Sequence, residues 1–145
     1  MHRIVLAVLL LVLVGAPGIA SASLDDFLSN VNAQARVDLP GFSLKVSTQF
    51  GVPVPKVEAV LGMVATPADA FMVFQLGQMA HRPAETVVQT YQTHKGKGWG
   101  VIAKELGIKP GSKEFHALKN GDLTFGGAPG EGAGKGKGKG KGHNK

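Results

Sequence analysis

Four lysines near the C-terminus, Lys135, Lys137, Lys139 and Lys141, alternate with glycine. Ammonium groups spaced along a chain without bulky side chains can follow an anionic polymer or an anionic membrane surface without fixed geometry. Such binding is electrostatic and weakens steeply with salt. A solvated, solubilising run is the plainer reading of the same charges. A second set, Lys104, Lys109, Lys113 and Lys119, flanks the Pro110-Gly111 turn together with His116 and Asn120. Residues of these types on a helix can meet phosphates and base edges of nucleic acid. A hairpin used only for packing explains them equally.

Other candidates carry less chemistry. His81, His94, His116 and His143 form no i, i+4 pair, and the chain has no cysteine, so no metal site is expected. Lys95-Gly96-Lys97-Gly98-Trp99-Gly100 lacks the Gly-Lys-Ser/Thr ending of a phosphate-binding loop. Its glycines read better as a tight turn that lets Trp99 dock, although an indole beside two lysines can also stack on a sugar ring or base. Ser112 sits in no nucleophile-elbow pattern. Glu58, Glu85, Glu105 and Glu114 fit helix surfaces and first turns, and Asp69 and Asp122 fit a cap and a turn. No catalytic residue and no cofactor is therefore expected. The expected class is a non-enzymatic binding module, with a nucleic-acid-binding module and an unrecognised periplasmic enzyme as alternatives.

The charge is unevenly placed. The chain of 145 residues has 16 Lys/Arg, 10 Asp/Glu and a formal net charge of +6. Residues 23–125 hold ten Lys/Arg against nine Asp/Glu, whereas residues 126–145 hold five Lys against Glu131 alone. An acidic partner is thus implied for the end of the chain, and the body must find its partner, a protein or a glycan of the envelope, through shape and apolar contact. Residues 126–145 contain nine Gly and no apolar side chain larger than Ala or Pro, so they are expected to be a disordered cationic tail.

At the other end, His2 and Arg3 precede the apolar run Ile4–Val14, then Gly15, Pro17 and Gly18, then Ala20-Ser21-Ala22. This order is that of an export signal, with cleavage after Ala22. The run of about 11 residues is short of the roughly 20 that span a bilayer. The protein is expected to be periplasmic or secreted, with residues 1–22 removed. Zero cysteines exclude a disulfide framework, thiolate catalysis and a lipidated N-terminal cysteine.

Residues 23–125 must position whatever the body does, and they read as an all-α domain of about five to seven short helices. Leu24, Phe27, Leu28 and Val31 recur at helical spacing behind Asp25 and Asp26. Asp38-Leu39-Pro40-Gly41 reads as a break. Phe42, Val46 and Phe50 continue as a helix closed by Gly51, with a short strand through Phe42, Leu44 and Val46 as the competing pattern. Pro55 opens a helix with Val57, Val60, Leu61 and Val64 inward. Thr66-Pro67-Ala68-Asp69 caps a helix that is apolar on nearly all sides (Phe71 to Met79) and so should be central. Pro83 and Glu85 open the next, with Val87, Val88 and Tyr91 inward. Trp99, Ile102, Ala103 and Leu106 form a further stripe closed by Gly107. Ser112 caps a last helix bearing Phe115 and Leu118.

Two stretches echo one another. Val46-Ser47-Thr48-Gln49-Phe50-Gly51-Val52 and Ile102-Ala103-Lys104-Glu105-Leu106-Gly107-Ile108 share the order apolar, small, polar, polar, apolar, Gly, β-branched. Each precedes a Pro-containing turn and another helix, which predicts two helix-turn-helix-like hairpins. Chance similarity of two capped helices is the competing explanation.

The stretch from Gly98 to His116, with the pattern GWGxIAKxLGIKPGSxEFH, resembles a signature of small, uncharacterised exported bacterial proteins. Phe50-Gly51-Val52-Pro53 and Pro67-Ala68-Asp69-Ala70 extend the resemblance over most of the body. It implies an exported helical protein and supplies no chemistry. Residues 102–108 are also similar to the first helix and turn of DNA-binding helix-turn-helix repressors.

Overall fold

The computed structural model describes residues 23–126. The expected signal, residues 1–22, and the alternating lysines Lys135 to Lys141 lie outside the described residues. Within them the chain is all helical: α1 (Leu24–Val37), α2 (Leu39–Phe50), α3 (Val54–Leu61), α4 (Pro67–Ala80), α5 (Ala84–Thr93), α6 (Trp99–Glu105) and α7 (Lys113–Asn120). No strand occurs among the described residues, so the helical pattern of Phe42, Val46 and Phe50 prevails over the alternating one. No described helix is long and apolar enough to cross a membrane.

The helix ends follow from local chemistry. Ser23 caps α1 in a reciprocal box: its Oγ accepts the Asp26 N–H at 3.3 Å, and Asp26 Oδ2 accepts the Ser23 N–H at 3.1 Å. Thr66 caps α4 through the Asp69 N–H, and Ser112 caps α7 through the Phe115 N–H. The break between α1 and α2 is a single residue. Asp38 ends α1 by donating its N–H to Gln34 O and starts α2 by accepting the Gly41 N–H at 2.9 Å. Leu39, Pro40 and Gly41 therefore belong to the first turn of α2, not to a loop. Pro is tolerated there because its missing N–H has no helical partner to lose. Gly41 leaves room for this cap, because a Cβ there would displace the Asp38 carboxylate.

Helix α4 is the centre of the bundle, with nine of its residues buried from Ala68 to Gly77. Helices α1, α2, α3 and α5 all pack on it, while α6 packs on α5, and α7 on α6 and α1. Phe71 on α4 joins three elements through its ring, meeting Phe27 at 5.4 Å, Phe50 at 5.5 Å and Phe125 at 5.8 Å. Aromatic pairs at such distances add about 0.5–1.5 kcal/mol each to simple burial.

The segment after α7 is part of the packing. Gly121 (φ 71) turns the chain, Leu123 and Phe125 lie against the core, and the Phe125 ring meets that of Phe42 at 5.4 Å in a tilted pair. Gln49, 1% exposed on α2, holds this segment with both ends of its amide. Its Nε2 donates to Thr124 O at 2.7 Å, and its Oε1 accepts the Gly126 N–H at 2.7 Å.

Candidate functional site

One recess on the body lies where the end of α2, α3, α4 and the start of α5 meet. It is an open cleft of about 310 Å³, at the low end of the range of roughly 300–1,000 Å³ for ligand clefts. Phe50, Val52, Val73 and Phe74 form its apolar floor. The Phe50 and Phe74 rings stack at 5.9 Å with 26° between their planes. Lys56, Gln78 and Arg82 supply its polar groups, and Pro83 and Ala84 close the side.

The turn between α4 and α5 places Arg82 there. His81 takes a left-handed conformation (φ 54, ψ 45), uncommon for a residue other than Gly or Asn. That turn folds the Arg82 N–H back onto Gly77 O at 2.9 Å. Gly77 is needed for the approach, because a Cβ would lie 2.8 Å from Arg82 O. Helix α5 then starts behind Pro83, which offers no side-chain cap, and Glu85 in its first turn sets a carboxylate against the positive end of that helix.

Charge around the cleft is partly spoken for. Lys56 Nζ sits 2.9 Å from Glu85 Oε1. The hydrogen bond from Lys56, aided by the Glu85 backbone N–H and the Lys56 charge, holds the Glu85 carboxyl below its ordinary range. Among the described residues Arg82 is in no ion pair. Gln78 Oε1 is shielded from solvent and has no hydrogen-bond partner. Gln75, fully buried on the same helix, has neither amide atom paired.

Lys104 on α6, Lys109 in the connection, and Lys113 and Lys119 on α7 are all exposed. A helical step of 100° per residue keeps Lys113, His116 and Asn120 within about 60° of one another on α7 and sets Lys119 about 60° beyond His116, roughly 120° from Lys113. Lys119 instead borders a second, apolar recess of about 340 Å³ with Leu24, Phe115 and Leu118. The connection between α6 and α7 runs over residues 106–112, longer than the three to four residues of a DNA-reading hairpin. The α2–α3 connection, residues 51–53, has that length.

Trp99 and the glycines before it behave as a docking turn. Gly96 (φ 85) and Gly98 (φ 84) bend the chain, and the indole stacks on Tyr91 at 5.3 Å. Tyr91 donates to Asp69 Oδ2 at 3.1 Å and accepts the Ala65 N–H at 3.2 Å. Burial, reinforced by the Asp69 charge, raises the Tyr91 pKa, so the phenol stays protonated as a structural donor. Asp69 is thus used by Tyr91 as well as standing in the first turn of α4. No group of three or more potential metal ligands occurs among the described residues. His94 Nδ1 lies 3.0 Å from Thr90 O, and His81 is an exposed helix cap.

Neither the cleft nor the Gln49 contacts stand out in the sequence. The cleft residues come from four elements and share no periodicity. Gln49 is one polar residue among the solvent-facing types of its helix. The only available hint was an apolar, β-branched and aromatic content on α4 too high for one buried stripe. Comparison of the chain with protein-family models, with curated proteins and with solved structures finds no match.

Proposed function

We propose that this protein is a non-enzymatic binding module that works outside the cytoplasm, in the envelope or released from it. Its helical body engages a partner through the cleft, and its cationic end holds it near anionic surfaces or polymers. The observation that carries this reading is the partition of charge. Residues 23–125 are nearly neutral, and four lysines alternating with glycine follow a segment that Gln49 and Phe125 fasten to the body. Lys135, Lys137, Lys139 and Lys141 are the proposed charge contacts. Export is supported by the position of Ser23. Cleavage after Ala22 leaves Ser23 as the first residue, and its nitrogen already lies 3.1 Å from the Asp26 carboxylate. A freed α-ammonium would gain a charged partner there.

The test removes residues 127–145, leaving Gly126 on Gln49. Retention on anionic vesicles at low salt should be lost, and that of the whole protein should fall as salt rises. Unchanged retention after removal rejects the reading. A nucleic-acid-binding module is the second reading, supported by the exposure of Lys104, Lys109, Lys113 and Lys119. Replacing these four should harm duplex binding and spare vesicle retention, which separates the two.

A further inference from the structure

We propose that the corner between α1 and α2, with the outward face of α2, is the side of the body that lies on an anionic lipid bilayer. The proposal rests on reading the protein as a surface-bound module and names the part of the body that touches the surface. Four large apolar residues are exposed among the described residues, and three of them fall close together in the chain: Val37 at 87%, Leu39 at 47% and Leu44 at 60%. The fourth, Met63, follows α3. Single exposed apolar residues are ordinary, whereas a group of them marks a contact surface. Helix geometry explains the grouping. Phe42, Ser43, Val46 and Gln49 form the buried side of α2, and the step of about 100° per residue then directs Pro40, Leu44 and Thr48 outward as one ridge. Val37 ends α1 and Leu39 starts α2 on either side of Asp38, so both stand at the corner where that ridge begins.

Charge and apolar surface together select the occupant. Arg36 and Lys45 flank the group, both exposed and in no ion pair among the described residues. The acid between them, Asp38, turns its carboxylate onto the Gly41 N–H at 2.9 Å. Along α2, Lys45 leads from the ridge toward Gln49, which holds the Gly126 N–H at 2.7 Å. A Cβ on Gly126 would lie only 3.7 Å from Lys45 Cδ. The chain therefore leaves the body at the edge of this face, and Lys135, Lys137, Lys139 and Lys141 follow in sequence. An acidic polymer would meet the cations but has no apolar layer to receive Val37, Leu39 and Leu44. A second copy, in a two-fold contact, would set the same cations against themselves. Three side chains and a proline also fall well short of the roughly 800 Å² per partner of a stable protein interface. A bilayer with anionic headgroups answers both features: the long basic side chains keep their charge at headgroup level while the apolar ones enter the boundary below.

The test uses residues 23–145, so that the apolar run Ile4–Val14 does not itself enter a bilayer. The chain has no cysteine, so Leu44→Cys and Gln92→Cys each provide a unique site for an environment-sensitive fluorophore. Gln92 lies on α5, which packs on α4 and α6, and both positions are exposed, so the fold should be unchanged. On vesicles of equal parts phosphatidylglycerol and phosphatidylcholine at low salt, the label on Leu44→Cys should shift to the blue and be quenched by a lipid-borne quencher. The label on Gln92→Cys should do neither. A double variant, Val37→Gln with Leu44→Gln, should keep the helical spectrum and lose at least about fivefold in vesicle affinity. Its salt-sensitive binding to heparin, an anionic polymer without an apolar layer, should be unchanged. An unshifted Leu44→Cys label on vesicles that retain the protein, equal shifts at the two positions, or unaltered vesicle affinity of the double variant overturns the proposal. A Leu44→Cys label that shifts with protein concentration in the absence of vesicles assigns the face to a second copy and overturns it as well. Tail-dependent retention without insertion at Leu44→Cys removes this face and spares the surface-binding reading. Insertion there, with retention unchanged after loss of residues 127–145, does the reverse.

Discussion

The hairpins α2–α3 and α6–α7 begin alike and end in different positions. In both, a glycine in the left-handed region closes the first helix: Gly51 at φ 64 and Gly107 at φ 94. In both, the next N–H reaches back five residues, Val52 to Ser47 O at 3.1 Å and Ile108 to Ala103 O at 3.0 Å. The echo in the sequence is thus a real similarity of backbone. It is also a general helix-ending device here, since Arg82 bonds to Gly77 O and Asp122 to Ala117 O in the same way. Beyond the turn the hairpins diverge. Helices α2 and α3 bury Phe42, Val46, Val57 and Val60 against the centre and supply Phe50 and Lys56 to the cleft. In the second hairpin α6 buries Trp99, Ile102 and Ala103 and packs on α5, whereas α7 buries only Leu118. A shared local pattern fixes how a helix stops. What the hairpin does is fixed by how much apolar surface its partners cover.

The difference can be challenged by substitution. The largest effect is expected for Phe42→Ala, which empties a site 2% exposed between Phe125 and the core and should cost about 3–5 kcal/mol in urea unfolding. Phe115→Ala, at a half-buried position of α7, should cost well under half of that; equal losses would erase the distinction between the hairpins. Gly121→Ala should come next, at about 3 kcal/mol. It combines a left-handed φ with a Cβ placed 2.5 Å from Ser23 O. Gly51→Ala and Gly107→Ala meet no atom within 4 Å, so each should cost only about 1–2 kcal/mol of backbone strain. A Gly107→Ala loss as large as that at Gly121 would mean that the second hairpin is held more tightly than its burial implies.

Gln49→Ala removes two hydrogen bonds at a buried site and should cost about 2 kcal/mol, with faster amide exchange at Gly126. The smallest expected effect concerns the link from α3 to α5. Lys56 holds the Glu85 carboxyl below its ordinary value of 4.5. A depressed folded-state pKa adds stability above that value, and the contribution is lost as the pH falls through the folded-state pKa. In Lys56→Met the Glu85 carboxyl, followed by NMR, should titrate closer to the ordinary value. An unmoved midpoint would show that its own backbone N–H, not Lys56, sets it.

The helix count, the central place of α4 and most helix ends are legible in the sequence. Thr66, Ser112, Gly51 and Gly107 act within their own turns, and so local spacing reveals them. Pro40-Gly41 misleads because both residues disfavour helix interiors, whereas the first turn of a helix accepts them. The role of residues 122–126 is hidden because Leu123 and Phe125 have no period to declare their side. The cleft is hidden for a further reason: Phe50, Lys56, Gln78 and Arg82 become neighbours only through packing on α4. The four body lysines are visible as residue types, and the roughly 120° between Lys113 and Lys119 follows from their spacing in one helix, but the placing of Lys104 and Lys109 relative to α7 depends on how α6 and α7 pack.

The grip of Gln49 on Thr124 and Gly126 has a mechanical meaning. A protein held to a surface by its C-terminal end is pulled whenever fluid or a partner moves the body. That pull arrives first at the Gly126–Gln49 bond and the Phe125 ring, and passes into α2 and then α4. Peeling residues 122–126 away would lengthen the tether by a few residues before any helix is loaded. The amide of Gln49 is therefore the first side chain of the helical bundle to meet a force applied at residue 126.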